Sequence, residues 1–248
     1  MDQKQYWDEK ALDFPRYDKK NQEFQQKVIN ILKDENMLNK NSSILDVGCG
    51  TGVYTLTMAK EVKNILALDI SSKMLEFLKE DAWNHNLNKK IETKCIKWQE
   101  FESKEKYDLV FASLSAAFSN DNDFEKVHNF AKSSVCFIDF VDTKGSNFEE
   151  LLEQKYNLEK YIYDDLNNLK TWLKNKNINY KSIPLTNTHS EFLDMDVAIT
   201  KIKRVLESSK KDLQLSDEEI ISLLKPITVE DKVQHILNMD LELIYWQI

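Results

Sequence analysis

Three glycines inside five residues, Gly48, Gly50 and Gly52, constrain this chain more than any other feature. The 248 residues hold only four glycines, where ordinary usage of ~7% would give about seventeen. The segment reads Ile44-Leu45-Asp46-Val47-Gly48-Cys49-Gly50-Thr51-Gly52, a short apolar run that ends in a turn and is followed by a helical pattern. Glycine lets the backbone take positive φ, and it lets a ligand approach with no Cβ in the way. The helix after such a turn presents unpaired N–H groups suited to an anionic group. Seventeen residues beyond Gly52, Asp69 ends the next apolar run. In a doubly wound sheet that position lies beside the first loop and can accept both hydroxyls of a ribose. Turn, strand and downstream acid together point to a nucleoside-type ligand with an anionic tail. The spacing is G-x-G-x-G, with an acid two residues before the first glycine, and it departs from the dinucleotide pattern G-x-G-x-x-G.

Around this turn apolar runs alternate with helical patterns. Strands are expected at Ser43–Val47, Asn64–Ile70, Ile91–Ile96, Tyr107–Ala112 and Ser134–Val141. Helices are expected at Thr51–Lys60, after a cap at Ser71 or Ser72, and at Phe124–Ala131 with Asp121 or Asn122 as cap. Fully apolar strands alternating with helices imply a parallel sheet covered on both faces. The fold class is therefore α/β, a doubly wound, mostly parallel sheet, for which the family resemblance given below implies seven strands with the last antiparallel. Two further features are N-terminal helices and a helical insertion before the last strand. Residues 1–248 are expected to form a single domain. Its parts are an N-terminal helical lid at 1–40, a Rossmann-like core at 42–184, a helical cap at 185–238 and the last strand at 239–248. Within the C-terminal third, Phe148–Lys174 reads as one long helical stretch and Ile178–Pro184 as a strand. Asp194–Ser209 and Asp217–Leu224 read as helices, with Ser216 as an N-cap.

Charge and cysteine usage narrow the functional classes. The net charge is −8, and only Arg16 and Arg204 of the 34 cations are arginine. A chain of this balance is a poor ligand for a phosphate backbone, so no nucleic-acid partner is expected. Cys49, Cys95 and Cys136 are scattered and odd in number, which excludes a disulfide framework and a zinc spacing, and no metal is expected. The N-terminus lacks an apolar signal region, and the longest near-apolar stretch, Leu109–Phe118, is too short to span a membrane. A cytoplasmic protein with no membrane partner is expected.

The stretch Ile44–Gly52 resembles motif I of the class I S-adenosylmethionine (SAM)-dependent methyltransferases, and Leu68-Asp69-Ile70-Ser71 resembles their second motif. The resemblance covers Ser42 to about Val141, with the family's reversed last strand matching Leu241–Trp246. It implies that SAM is the cofactor. It places Asp46, Gly48, Gly50 and Gly52 at the methionine end, Asp69 on the ribose hydroxyls, and Ile70 and Met74 near the adenine. The loop after the third strand usually carries an Asp that meets the adenine amine. Here it reads Lys97-Trp98-Gln99-Glu100, with Trp98 where that Asp falls. Gln99 can donate or accept through its amide, and Trp98 can stack on the base or serve as a core tryptophan.

The resemblance further implies that Ala112-Ser113-Leu114-Ser115-Ala116-Ala117-Phe118 faces the methyl group and the acceptor, with Ser113 on the cofactor side. The segment lacks the Asp/Asn-Pro-Pro-aromatic sequence of base-methylating DNA enzymes. It also lacks the paired glutamates of arginine methyltransferases and the metal-binding Asp of catechol-type enzymes. The cysteines stand in a turn and on strands, away from thiol chemistry. A small-molecule acceptor remains, methylated by in-line displacement in which proximity can supply most of the catalysis. The alternative is a SAM-binding or regulatory module of the same fold without turnover. Substrate-side candidates are Tyr6, Trp7, Arg16 and Tyr17 on a leading helix that can close over the cofactor or simply pack on the sheet. His189 is the best histidine candidate for a base, on a segment that reads more readily as a surface loop. Asp139 and Asp142 flank the end of the fifth strand, where capping and solvation compete with a role at the site. His85 and His128 fall on helices outside or behind it.

Overall fold

The computed structural model describes residues 2–142, 145–157, 165–209 and 213–248. The elements run α1 (Gln3–Lys10), α2 (Glu23–Asp34), β1 (Ser43–Val47), α3 (Val53–Ala59), β2 (Asn64–Asp69), α4 (Ser72–Asn84), β3 (Ile91–Cys95), β4 (Tyr107–Ser113), α5 (Asp121–Phe130) and β5 (Ala131–Asp142). They continue with α6 (Asn147–Tyr156), α7 (Asp165–Asn175), β6 (Tyr180–Leu193), α8 (Met195–Ser208), α9 (Asp217–Leu224), β7 (Thr228–Val229) and β8 (Lys232–Gln247). The strand order is β3-β2-β1-β4-β5-β8-β6, with β7 paired to β8. β3, β2, β1, β4 and β5 are mutually parallel, and the last strands are antiparallel. The expected α/β class and its seven strands are present, and the two-residue β7 is added to them.

The chain divides into two compact units. The first comprises Met1–Asp139, Asp165–Ile183 and Glu242–Ile248. In it β1 is registered against Leu66 on one side and Val110 on the other at Leu45, and its side chains alternate between two buried faces. One face carries Leu45, Val47, Val110 and Phe137 against α5 and α7, where Phe124, Leu169 and Trp172 are buried. Aromatic rings fill this layer: Phe137 stacks on Trp246 at 5.9 Å and meets Phe118 edge-on at 4.8 Å. The other face includes Ala67 of β2, packed with Leu56 of α3, Leu75, Leu78 and Ala82 of α4, and Tyr17. Burial on both faces is what the apolar strands require.

The second unit comprises Phe140–Asp164 and Pro184–Leu241. Phe148 and Leu152 of α6, Ala198, Ile202 and Leu206 of α8, and Ile220, Leu223 and Leu224 of α9 form its core. Ser146 and Ser216 each close a capping box, with Glu149 and Glu219 respectively. Ser216 is the cap expected from the sequence.

Several boundaries differ from the sequence reading, each for a local reason. α3 starts at Val53, because Gly52 takes the left-handed N-cap position at φ 83°. α5 starts at Asp121, because the Asn120 side chain accepts the Asn122 N–H. The long helix expected at Phe148–Lys174 stops at Tyr156, where Asn157 turns left-handed at φ 52°. β6 continues through Leu193 and β8 begins at Lys232, so strand occupies both ends of the stretch expected as a helical cap. Thr186 and Thr188 are β-branched and favour that extended backbone.

One buried acid on β1 links the fold to pH. Asp46 lies on the α3 side of the sheet, 2% exposed, and accepts the Thr55 hydroxyl at 2.6 Å. Burial pushes its pKa up to about 7, helped by the charge of Asp69 and opposed by the Thr55 bond. Raised above the ordinary value of 3.8, this pKa makes the protonated folded state the favoured one. Its stabilising effect is complete below the unfolded pKa and is lost as pH rises through about 7. Asp46→Asn removes that dependence. Denaturant unfolding at acid and alkaline pH should show the variant gaining on the native protein by on the order of 4 kcal/mol across this window, at ~1.4 kcal/mol per unit. Parallel pH profiles for the two proteins would refute the assignment.

Candidate functional site

The glycine turn is built by three positive-φ positions. Gly48 stands at φ 71°, and a Cβ there would lie 2.0 Å from Ser115 Oγ. Gly50 stands at φ 55° with open space where a Cβ would be. The Gly48 and Cys49 N–H groups both donate to the Leu68 carbonyl, at 2.8 and 2.9 Å, and so seat the turn on the end of β2. Gly52 does a different job: a Cβ there would meet Leu78 Cδ1 at 2.2 Å, so it permits close packing of the turn on α4.

Asp69 is buried at the end of β2. Its Oδ2 accepts the Gly50 N–H and its Oδ1 the Ser71 N–H, both at 2.8 Å. Burial raises its pKa above the ordinary carboxylate range, while N–H groups of Ser71, Gly50 and Ile70 oppose the rise. A carboxylate has about four acceptor positions, so Asp69 keeps acceptor capacity for a ligand hydroxyl beyond these N–H groups. Ser71 also caps α4, its hydroxyl accepting the Met74 N–H.

These residues line a cleft that opens to solvent. Gly48, Gly50, Asp69, Ile70, Met74, Trp98 and Gln99, all expected from the sequence, share its wall. Trp98 is 3% exposed and packs on Phe101, Phe118 and Phe130, so it is a core tryptophan with one edge on the cleft. Lys126 lies 4.8 Å over its ring and donates to the Trp98 and Gln99 carbonyls. The Gln99 amide nitrogen donates to the Ala117 carbonyl at 2.8 Å and to Asp123 Oδ1 at 2.9 Å. Both partners are acceptors, which fixes the amide orientation and leaves Oε1 as the uncommitted atom.

Other sequence-derived candidates take different places. Asp46 and Gly52 support the turn from behind and do not line the cleft. Ser113 ends β4 with its hydroxyl buried beside Tyr54, and the next residues line the cleft in its stead. Leu114 among them holds φ 49°, unusual for a bulky side chain, and is 41% exposed. Trp7 lines the cleft from α1 together with Gln3 and Phe14. Tyr6 lies outside that lining and packs edge-on against Trp7 at 5.1 Å.

Arg16 and Tyr17 fasten the N-terminal segment in place. Arg16 pairs with Asp81 through two bonds and with Glu80 at 3.1 Å, and its guanidinium covers Phe77. Tyr17 is buried, with its ring edge on His85. The Thr51 hydroxyl donates to the Pro15 carbonyl at 2.6 Å. His189 is exposed on β6 in the second unit and does not line the cleft. His128 accepts the Trp246 indole N–H at 3.1 Å, and burial lowers its pKa. The Asp142 side chain lies outside the described residues. Lys97, Leu114 and Ser115 fall in segments expected at the site but carry no individual assignment from the sequence, and Asp123 on α5 has none. Small, apolar or singly charged residues carry no spacing signal.

Among the described residues no group of three His, Cys, Asp or Glu side chains is arranged to hold a metal. No described helix is long and apolar enough to cross a membrane.

Comparison with known proteins agrees with this geometry. Residues 44–134 match the family described as Methyltransferase domain. Over 101 residues the chain is 36% identical to malonyl-[acyl-carrier protein] O-methyltransferase of Acetivibrio thermocellus, covering 39% of this chain and 34% of that protein. Over 122 residues it is 30% identical to ribosomal RNA small subunit methyltransferase A of Mesomycoplasma hyopneumoniae, covering 43% and 46%. The match thus spans less than half the length of these curated relatives. Magnesium protoporphyrin IX methyltransferase from Synechocystis, solved with bound S-adenosylhomocysteine (SAH), has a similar fold, with TM-score 0.53 at 12% identity over 96% of both chains. The glycine cradle, with its missing Cβ atoms, and the Asp69 carboxylate beside it fit a nucleoside cofactor. Residues 44–134 are thus similar to a methyltransferase domain, and SAM is the cofactor this match supports.

Proposed function

We propose that this protein is a methyltransferase that transfers the methyl group of SAM to a small-molecule acceptor. The observation that carries the reading is one cleft with two kinds of wall. Gly48, Gly50 and Asp69 offer backbone and carboxylate contacts, and Trp7, Phe14, Leu114, Ala116 and Ala117 are apolar. Among the described residues Lys97 is the one cation in the lining, which suits a compact acceptor better than a phosphate backbone. The relatives include an enzyme named for ribosomal RNA as well as one named for an acyl-carrier protein, so the acceptor class rests on the cleft itself.

In this reading Asp69 accepts the ribose hydroxyls, and the Gly48–Gly50 backbone admits the methionine end. Trp98, Ile70 and Met74 enclose the adenine. Gln99 Oε1 accepts from the adenine amine, taking the part of the Asp that the family resemblance leads one to expect. When bound, SAM supplies a methyl on a sulfonium, which leaves as a neutral thioether. The chain's own residues align and enclose, which is the main requirement of an in-line displacement. Among the described residues the lining holds no His, Cys, Glu or Tyr, and its one acid, Asp69, is assigned to the ribose. In this reading the acceptor brings a nucleophile that needs no proton taken by these residues.

Labelled SAM incubated with the protein and a fractionated extract should place label in the small-molecule fraction; label confined to RNA or protein would overturn the acceptor class. Asp69→Ala should weaken SAH binding by about tenfold or more in calorimetry, some 1.4 kcal/mol, and an unchanged affinity would remove its ribose role. Gln99 is tested with SAH against its 6-oxo analogue, whose base accepts where adenine donates. The native protein should prefer the amine by about tenfold or more, and Gln99→Leu should lose most of that preference. Equal ratios in both proteins would exclude Gln99 as the reader of the base.

A further inference from the structure

One side chain on α1 joins the N-terminal segment to the ribose end of the cleft. Asp8 follows Trp7, whose ring lines the cleft. Its Oδ1 accepts the Ser71 hydroxyl at 2.6 Å and the Lys73 N–H at 3.1 Å, and its Oδ2 accepts Lys4 Nζ at 2.5 Å. Lys4 also donates to Ser72 Oγ at 3.0 Å. Ser71 in turn gives its backbone N–H to Asp69 Oδ1. One residue thus binds the ribose-facing carboxylate through its backbone and the α1 carboxylate through its hydroxyl. The carboxylate of Asp8 also sits at the N-terminal end of α4, where the helix dipole favours negative charge.

α1 has little else to hold it. It is eight residues long, buries none of them, and its N-cap Asp2 makes no side-chain bond. A helix of that length is marginal on its own in water. Beyond α1 the segment is anchored by Arg16 on Asp81 and by Pro15 on Thr51. Between Lys4 and that anchor, Asp8 supplies the polar attachment to α4.

We propose that Asp8, acting through Ser71, is the positioning residue that closes α1 over the bound cofactor, so that closure and ribose binding strengthen each other. The inference rests on SAM being the ligand. The coupling is reciprocal, as any linkage between two sites must be: cofactor on Asp69 steadies Ser71, and Asp8 on Ser71 holds Trp7 and Gln3 against the ligand.

The test uses the full chain as wild type, D8A and D8N, with SAH as the probe. Stopped-flow gives the binding rates, and hydrogen exchange follows the amides of residues 3–10. D8A should release SAH about fivefold faster or more while its association rate changes by about twofold or less, the pattern of a lost closure. SAH should protect the α1 amides in wild type and fail to do so in D8A. D8N, which keeps an acceptor and loses the charge, should fall between the two. Should D8A fold poorly, D8N alone carries the comparison. Wild-type release rates and wild-type protection in both variants would overturn the proposal. Faster release with α1 protection unchanged would also overturn it, because Asp8 would then act only as a cap of α4. A wild-type protein that binds no SAH would overturn the cofactor assignment itself, whereas normal binding in unlatched variants overturns the latch alone.

Discussion

The carboxylate of Asp69 is gripped by two backbone N–H groups from separate elements, Gly50 in the glycine turn and Ser71 at the head of α4. The rest of the cofactor site depends on this grip. A buried carboxylate is costly unless hydrogen-bonded, and these two donors offset the cost while leaving acceptor positions open to a ligand. The same two bonds fix the end of β2, the turn after β1 and the start of α4 relative to one another. Gly50 reaches the carboxylate with no Cβ of its own facing the cleft. Ser71 passes the constraint outward, to the Met74 N–H on α4 and to Asp8 on α1.

The scarcity of glycine has a matching physical solution elsewhere in the chain. All four glycines have positive φ. The described residues outside glycine that share this conformation are mostly asparagine: Asn36, Asn86, Asn157 and Asn177, with Asp231, Glu230 and Leu114. Those four asparagines follow α2, α4, α6 and α7. Asn tolerates the left-handed region better than other side chains and commonly ends helices there. The chain thus uses Asn where many proteins use Gly to stop a helix. Glycine is kept for the turn where a Cβ would strike Ser115 or Leu78, and for Gly145.

This explains which parts of the fold were legible. Strands β1, β2 and β4 and the turn after β1 follow from apolar runs and glycine spacing, signals imposed by backbone stereochemistry. The end of α6 at Asn157 was not read, because a single Asn inside an apolar helical pattern competes with the periodicity around it. The extension of β6 to Leu193 was missed for a related reason. Its burial alternates weakly, with Leu185 the only fully buried side chain along it, so the pattern lacks the apolar contrast that marks a strand. In the cleft, Asp69, Trp98 and Gln99 were legible from position, but the orientation of Gln99 was not. That orientation depends on Asp123, twenty-four residues away, and on the Ala117 carbonyl, which any residue would supply.

The two walls of the cleft differ in kind, and that difference decides how far a sequence can be read. The wall proposed for the cofactor is built from backbone N–H groups, positive φ and one carboxylate, each of which demands a particular residue type. The wall proposed for the acceptor is apolar area from Trp7, Phe14 and the Leu114–Ala117 loop, and many residue combinations supply apolar area equally well. Leu114 carries the one stereochemical mark on that side. A leucine at φ 49° is strained by about 1–3 kcal/mol. Its N–H donates to the Ile138 carbonyl at 2.8 Å, which helps hold it there. Ser115, the next residue, packs where a Cβ on Gly48 would lie. Glycine at one side of the contact and strain at the other are two consequences of bringing the loops after β1 and β4 close together at the wall of the cleft.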